Sequence, residues 1–376
     1  MTLNKGLGRI RFRSAKEDAM PEKRWMIYGA YGYTGALITE EAVRRGHRPV
    51  VAGRSADRLI PLAKRFGLDP LVLDLKDETA LTKAVAECSL VLHAAGPFAE
   101  TSGPMVRACL SAGTHYVDIT GEVSVFEEIF ARDPEAKQRG ITLLPGAGFD
   151  VVSGDCLAKY VADKVPGATR LDLAVAAMAH VSPGTARTMI KQLPRGMSVR
   201  REGRLRVSDA GEGERTVRFP GGARQAVPAT LGELAAVYWT TGIPNITAYM
   251  ALPSPVIGLM RWTGPLLQRL LASDPIRRAA ERGARAVIRG PDAEARRKGR
   301  AFLWARASDE AGNAAEGWLE TAEAYAFTAM AAVRCAEGIL KKLPTEGCLG
   351  ACTPAGAFGA DFVLEIPGTK RLDRIS

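Results

Sequence analysis

Histidine is scarce in this chain of 376 residues, cysteine is sparse, and no long apolar run goes unbroken. Each shortage removes a class of function. The four histidines, His47, His93, His115 and His180, are scattered and none adjoins a nucleophile elbow, so Ser-His-Asp hydrolysis has no support. His93 falls inside an apolar strand and reads as a core residue rather than a base. The six cysteines, Cys88, Cys109, Cys156, Cys335, Cys348 and Cys352, lack the dense spacing of a secreted disulfide framework and read as reduced thiols. Cys348 and Cys352 have no second pair or histidine cluster beside them to complete a tetrahedral site, so no metal is expected. The opening stretch is basic but has no continuous apolar core, which fails as a secretory signal. Residues 1–20 are set aside as a basic arm or an upstream mis-start, and the expected location is the cytoplasm. The stretch 234–260 carries no formal charge, but Pro244, Pro253 and Pro255 interrupt it, short of the ~20 continuous apolar residues that a spanning helix needs.

What is present is the composition of a soluble globular chain, with 47% hydrophobic and 24% charged residues and a length that suits two domains. The net charge of +10 is open to two readings: anionic partners such as nucleotides, acyl-CoA or a lipid surface, or a solvated arginine-rich exterior. A nucleic-acid partner is not expected.

The strongest local signal is a strand, a glycine turn and a helix in succession. Arg24 to Tyr28 read as a short apolar strand that runs into GAYGYTG (residues 29–35) and then a helical stretch, residues 36–45. Gly29 permits the tight turn, Gly32 lets the backbone approach a pyrophosphate, and Gly35 allows close helix packing. The helix start offers free N–H groups and a positive dipole end to phosphates, with Tyr31, Tyr33 and Thr34 between the glycines. A second strand ends in Gly53, Arg54 and Ser55, about twenty residues after the motif, where a site for NAD would carry an acid. Arg54 can stack on adenine and bond a 2′-phosphate, with Ser55 as a further donor, so the expected cofactor is NADPH or NADP. Asp74 and Leu75, after the third strand, are placed to border the adenine. The turn Ala95, Gly96, Pro97, Phe98 follows the fourth strand and should lie under the nicotinamide ribose. Helix is expected over 103–112, then strands over 115–119 and 142–145. Strand and helix alternating at this spacing predict a doubly wound parallel sheet of the Rossmann type, in the α/β class.

These turns together resemble the saccharopine dehydrogenase-like oxidoreductases, including the trans-acting enoyl reductase branch. The strings that carry the resemblance are GAYGYTG, AGRS, AAGPF, YVDITGE, PGAGFD, TGIPN and CTPAGAFG, spread from Tyr28 to about Leu364. The resemblance implies a Rossmann domain, a second α+β domain, and a C-terminal segment that packs back on the first. It also implies hydride transfer to a C=C or C=N bond of an apolar substrate. On this basis residues 21–150 are read as the NADP-binding domain, 151–320 as a second domain for substrate or dimerisation, and 321–376 as the returning helix and tail.

In the second domain, residues 171–175 read as a strand, Ser182 to Thr185 as a helix start, and residues 196–207 and 215–219 as antiparallel strands of a small mixed sheet. The segment 234–272 is expected either to line an apolar cavity or to form a surface patch; with the arginines that follow, 234–289 could touch a membrane. Residues 321–343 are read as a long amphipathic helix. Asp118, Glu122 and Asp150, at strand ends, are the candidates for a chemical role facing the nicotinamide, with Thr120 beside them, and none is assigned. Tyr160 and Lys164 match the YxxxK pair of short-chain dehydrogenases. No serine stands about a dozen residues upstream, and Pro166-Gly167 end the helix, so a carbonyl reductase of that type is kept only as the alternative. A non-catalytic NADP-binding sensor or membrane-associated scaffold is another, and a homodimer stays open.

Overall fold

The computed structural model describes residues 24–177, 181–208, 213–342 and 348–375. The basic arm, His180 and Leu343 lie outside these residues. Six strands form successively along the first part of the chain: β1 (Trp25–Tyr28), β2 (Val50–Gly53), β3 (Pro70–Val72), β4 (Leu90–His93), β5 (His115–Asp118) and β6 (Thr142–Leu144). β1, β4 and β5 are buried at every residue, as expected of a parallel strand covered on both faces. The second part of the chain supplies β7 (Arg170–Ala177), β8 (Ser198–Arg201), β9 (Arg204–Val207), β10 (Arg215–Phe219), β11 (Gly222–Pro228), β12 (Asn245–Ala251), β13 (Arg300–Ser308) and β14 (Ala314–Ala322). β15 (Gly350–Ala351) then returns to the first sheet and β16 (Lys370–Leu372) to the second.

The first sheet has the order β15-β6-β5-β4-β1-β2-β3, and all its pairings are parallel. The chain moves outward from β1 through β2 to β3, then jumps back to place β4 on the other side of β1. That reversal opens a crevice at the carboxyl ends of β1 and β4, where open α/β sheets take ligands. The second sheet runs β10-β11-β12-β7-β13-β14-β16, with β8 and β9 attached through β12; only the β12–β7 pair among these is parallel. It has nine strands and is larger than the small sheet expected.

Two helices hold the layers together. The helix Phe149–Ala162 follows β6 and packs against β7, β13 and β14 of the other sheet, burying Val151, Val152, Cys156, Leu157, Ala158 and Val161. Large apolar side chains buried in this way contribute about 1.5–3 kcal/mol each. The helix Ala324–Lys342 packs against the helix Tyr33–Arg44 and against β4 and β5, so the C-terminal part of the chain does pack back on the Rossmann domain. Its start is corrected: Thr321 and Ala322 belong to β14, because Thr321 pairs with Ala301 across the antiparallel ladder. The helix expected over 103–112 begins earlier, at Phe98. The uncharged stretch divides in two: Leu234 to Val237 and most of β12 are buried, whereas the helix Ser254–Ala272 is largely exposed. No helix among the described residues is long and apolar enough to cross a membrane.

Candidate active site

The glycine turn has the geometry its sequence requires. Gly29 has φ +84°, and a Cβ there would stand 2.7 Å from Ala95 Cβ and 2.8 Å from Ala95 N, so the turn lies directly against the chain leaving β4. At Gly35 a Cβ would stand 2.2 Å from the Gly29 carbonyl oxygen. Only a glycine lets this helix approach its own turn. Gly32 caps the helix Tyr33–Arg44 without a side chain, leaving the first-turn N–H groups without helix acceptors and facing the crevice.

The end of β2 carries a cationic cluster. Arg54 is exposed and Ser55 occupies the N-cap of the helix Ala56–Phe66 without giving its hydroxyl to the cap. Arg58, which sequence reading missed, places its guanidinium 4.7 Å from the centre of the Tyr31 ring and donates a 3.1 Å hydrogen bond to the Tyr31 carbonyl. The signal was present, an arginine four residues after Arg54 and in the first turn of the next helix. Gly53 makes the arrangement possible, since a Cβ there would be 2.5 Å from the Tyr31 ring. Asp74 and Leu75 follow β3, with Asp74 exposed and accepting from the Lys76 N–H at 3.0 Å. Burial and the charge of Asp74 push the Tyr28 phenol up to about 12, against an opposing effect of Arg54. An adenosine 2′-phosphate would meet Arg54, Ser55 and Arg58 here.

The remaining motif residues divide between contact and support. Thr34 is half-buried beside the turn. Tyr33 donates to the Pro291 carbonyl at 2.5 Å and lies edge-on to Tyr325, while a Cβ on Gly290 would be 2.8 Å from its ring. This tyrosine therefore joins the glycine turn to the second part of the chain. Ala95, Gly96, Pro97 and Phe98 form the turn after β4, with a cis peptide between Gly96 and Pro97. Phe98 is buried and edge-on to His93.

The three candidate acids turn out to differ. Asp118 is fully buried and accepts from Thr120 N–H (2.9 Å), Gly146 N–H (2.9 Å) and the Tyr116 hydroxyl (2.7 Å). It ties the end of β5 to the loop after β6. Glu122 accepts from the N–H groups of Phe98 (2.8 Å) and Ala99 (3.1 Å), with Thr188 Oγ1 at 3.4 Å. That carboxylate caps the helix Phe98–Ala112, which explains the early start of this helix after a proline. Asp150 differs from both. It sits in the first turn of the helix Phe149–Ala162, retains exposed surface, and lies close to Gly121 in the crevice. Beneath it is Glu233, which sequence reading also missed: 1% exposed, with neither carboxylate oxygen hydrogen-bonded.

Tyr160 and Lys164 do meet, but in the wrong place. Lys164 Nζ is 2.7 Å from the Tyr160 hydroxyl, which donates to Asp373 at 2.5 Å, and Arg371 covers the ring at 3.6 Å. The cluster lies near the C-terminal end of the Phe149–Ala162 helix, about 15 Å along its axis from Asp150. It clasps the tail of the chain rather than lining the crevice, which corrects the short-chain dehydrogenase alternative. His93 is the core residue expected: fully buried, 3.0 Å from Thr101 Oγ1, with burial holding its imidazole down at about 3.

The family model for the saccharopine dehydrogenase NADP binding domain matches residues 25–144, the span of β1 to β6. The first domain is a saccharopine dehydrogenase NADP-binding domain. Its cofactor is therefore NADP or NADPH. Curated relatives of this NADP-binding domain are oxidoreductases. The saccharopine dehydrogenase-like oxidoreductase of Bos taurus is 27% identical over 162 residues, covering 38% of this chain and 38% of that protein. The trans-acting enoyl reductase of Mycobacterium tuberculosis (strain ATCC 25618 / H37Rv) is 33% identical over 138 residues, covering 35% of this chain and 33% of that protein. The chain spans 33–38% of the length of the curated relatives it matches. Beyond the NADP-binding domain, the apo histidine-tagged saccharopine dehydrogenase (L-Glu forming) of Saccharomyces cerevisiae shares the fold over 93% of this chain and 100% of that chain, with TM-score 0.62 at 15% identity.

Proposed function

We propose that this protein is an NADPH-dependent reductase that delivers hydride to a C=C or C=N bond of an apolar small molecule. The observation that carries the cofactor half is the cluster of Arg54, Ser55 and Arg58 at the end of β2, with Arg54 in the position where an acid would meet a free ribose hydroxyl. The glycine turn and the N-terminus of the helix Tyr33–Arg44 would hold the pyrophosphate, and Ala95 to Phe98 would border the nicotinamide ribose. Bound there, the dinucleotide supplies a hydride. The chain supplies orientation, a water-poor crevice and a proton. Titration of the purified protein with NADPH and NADH, read by nucleotide fluorescence, tests the reading. Arg54→Asp should weaken NADPH binding by about ten- to a hundredfold, the loss of about 1.5–3 kcal/mol from a charge-assisted phosphate contact. NADH should be much less affected. Equal losses for both nucleotides would refute the assignment of Arg54, and no binding of either would refute the function.

A second surface favours a peripheral membrane contact. Leu259, Trp262 and Leu266 are 63%, 90% and 61% exposed, and they lie with Leu270 on one face of the helix Ser254–Ala272. The next helix, Asp274–Val287, is rich in arginine, and Arg278 and Arg282 line an open cavity of about 430 Å³ with Arg187 and Glu281. An apolar face bordered by cations suits a surface of anionic lipids. Co-sedimentation with anionic but not zwitterionic vesicles, lost in Trp262→Asp, is expected. Concentration-dependent dimerisation without vesicle binding would give the face to a second copy instead.

A further inference from the structure

Glu233 is the most anomalous side chain in the described structure. It opens the helix Glu233–Thr241, is 1% exposed, and has no hydrogen-bond donor at either oxygen. A buried carboxylate in that condition would be prohibitively costly, by far more than the protein's whole stability margin allows without compensation. The charged groups acting on it make ionisation worse, because they are Asp150 and Asp155, both acidic. Asp155 has its own partners, accepting from Thr240 Oγ1 at 2.5 Å and from the Ala355 N–H at 2.7 Å. Asp150 lies one turn ahead of Gly154 on the face of the helix Phe149–Ala162 against which Glu233 packs, so the two acids are neighbours, and burial pushes the Glu233 carboxyl upward.

The packing shows that this placement is built. A Cβ on Gly154 would stand 2.6 Å from Glu233 Cγ and 3.0 Å from its Oε1, so the helix Phe149–Ala162 carries a glycine where the glutamate presses against it. Gly232, just before Glu233, is equally hemmed in: a Cβ there would be 3.0 Å from Phe126 and 3.2 Å from Gly121 Cα. The acid thus lies behind the loops that end β5 and β6, and Asp150 stands between it and the crevice.

We propose that Asp150 and Glu233 share one proton at neutral pH, and that Asp150, the member open to the crevice, donates it to the reduced substrate. The proposal rests on the reductase reading above. In that reaction the hydride electron pair forms a C–H bond at one atom of the double bond, with reduced nicotinamide as the two-electron donor. The other atom forms a bond to a proton as the O–H bond of the carboxyl pair breaks, leaving the pair with both groups ionised. Repulsion between two carboxylates makes that donation favourable only while the substrate anion is being quenched, and water reaching Asp150 restores the proton. Asp150 is the catalytic residue in this scheme. Glu233 is a positioning residue that acts by keeping Asp150 protonated.

Infrared difference spectroscopy of the full chain without nucleotide tests the shared proton independently of turnover. A protonated-carboxyl C=O band is expected at pH 7, lost in Glu233→Gln and altered in Asp150→Asn. A wild-type spectrum with no such band, or a band unchanged in both variants, overturns the proposal even if NADPH binds. If NADPH does not bind and the band is present, the reductase reading fails and the proton-sharing pair stands. With a panel of enoyl and imine substrates, Asp150→Asn should lower kcat by about 10²- to 10⁴-fold, with NADPH affinity changed less than about threefold, on the order of 0.6 kcal/mol. Glu233→Gln should move the high-pH limb of the kcat profile to lower pH, because Asp150 then ionises more easily, and Glu233→Asp should move it part of the way back. An unshifted limb in a folded Glu233→Gln protein refutes the positioning role.

Discussion

Substituting Gly35 by alanine isolates the tightest contact of the nucleotide cradle. The new methyl would lie 2.2 Å from the Gly29 carbonyl oxygen, 3.0 Å from Gly29 C and 3.1 Å from Ala30 Cα, all backbone atoms. Carbon and oxygen need roughly 3.3 Å, so something must move by about 1 Å. Gly29 cannot, since its N–H is held by the Ala52 carbonyl at 2.8 Å and its Cα already abuts Ala95. The helix Tyr33–Arg44 must retreat instead, against the buried Ile38 and Ala42 and the helix Ala324–Lys342 behind it. Overpacking of that kind costs about 1–3 kcal/mol. Because the retreating helix start is what meets the pyrophosphate, NADPH binding should weaken at least tenfold, about 1.4 kcal/mol or more. Gly283 is the control: exposed within the helix Asp274–Val287, its Cβ would meet nothing within 4 Å, so Gly283→Ala should gain about 0.5–1 kcal/mol. Denaturant unfolding and nucleotide titration of the two variants measure both effects. If Gly35→Ala equals Gly283→Ala in stability and affinity, the cradle geometry described above is wrong.

Two further outcomes follow from buried and decoy groups. His93 has a folded pKa near 3 against 6.5 for a free imidazole, so its contribution is present above about pH 6.5 and is lost as pH falls toward 3. Between pH 7 and pH 5 this amounts to about 2 kcal/mol. In denaturation curves at the two pH values, His93→Gln should therefore improve relative to wild type by that amount on acidification; a pH-independent difference refutes the account. Tyr160→Phe combined with Lys164→Met should leave kcat within about twofold, under ~0.5 kcal/mol, while making the C-terminal tail more open to limited proteolysis. A hundredfold loss of kcat would restore that pair to the chemistry.

The nucleotide half of the site was legible because its requirements fall on the backbone. A turn that must touch Ala95 and a helix that must touch Gly29 leave glycine as the only residue available, and glycines at fixed spacing can be read directly. Arg54 was legible for a related reason, since it replaces an expected acid. Arg58 was not read, because its role depends on Tyr31 folding over Gly53, a contact between two turns. The segment 234–272 left two readings open, because composition does not distinguish the buried β12 from the helix Ser254–Ala272, whose apolar face lies outside. The second sheet was undercounted because its strands pair over long separations, β16 with β14 and β13 with β7, which local alternation does not encode.

The acids show the same division more sharply. Asp118, Glu122 and Asp150 look alike in sequence, each at the end of a strand, yet two are consumed by backbone donors and one is left open. What separates them is whether an N–H points at the carboxylate, and that depends on loops from β4 and β6 arriving at β5. Glu233 was invisible for the opposite reason, because a lone acid before an apolar helix reads as a favourable first-turn charge on the helix dipole. Burial without a donor converts it from a helix-stabilising anion into a neutral acid. The first residue of the helix Glu233–Thr241 is held by packing against Gly154 rather than by hydrogen bonds. Cofactor binding in this fold is thus written in residues that must be small. In the proposed scheme, proton delivery by Asp150 depends on a neighbouring acid, Glu233, that no donor satisfies.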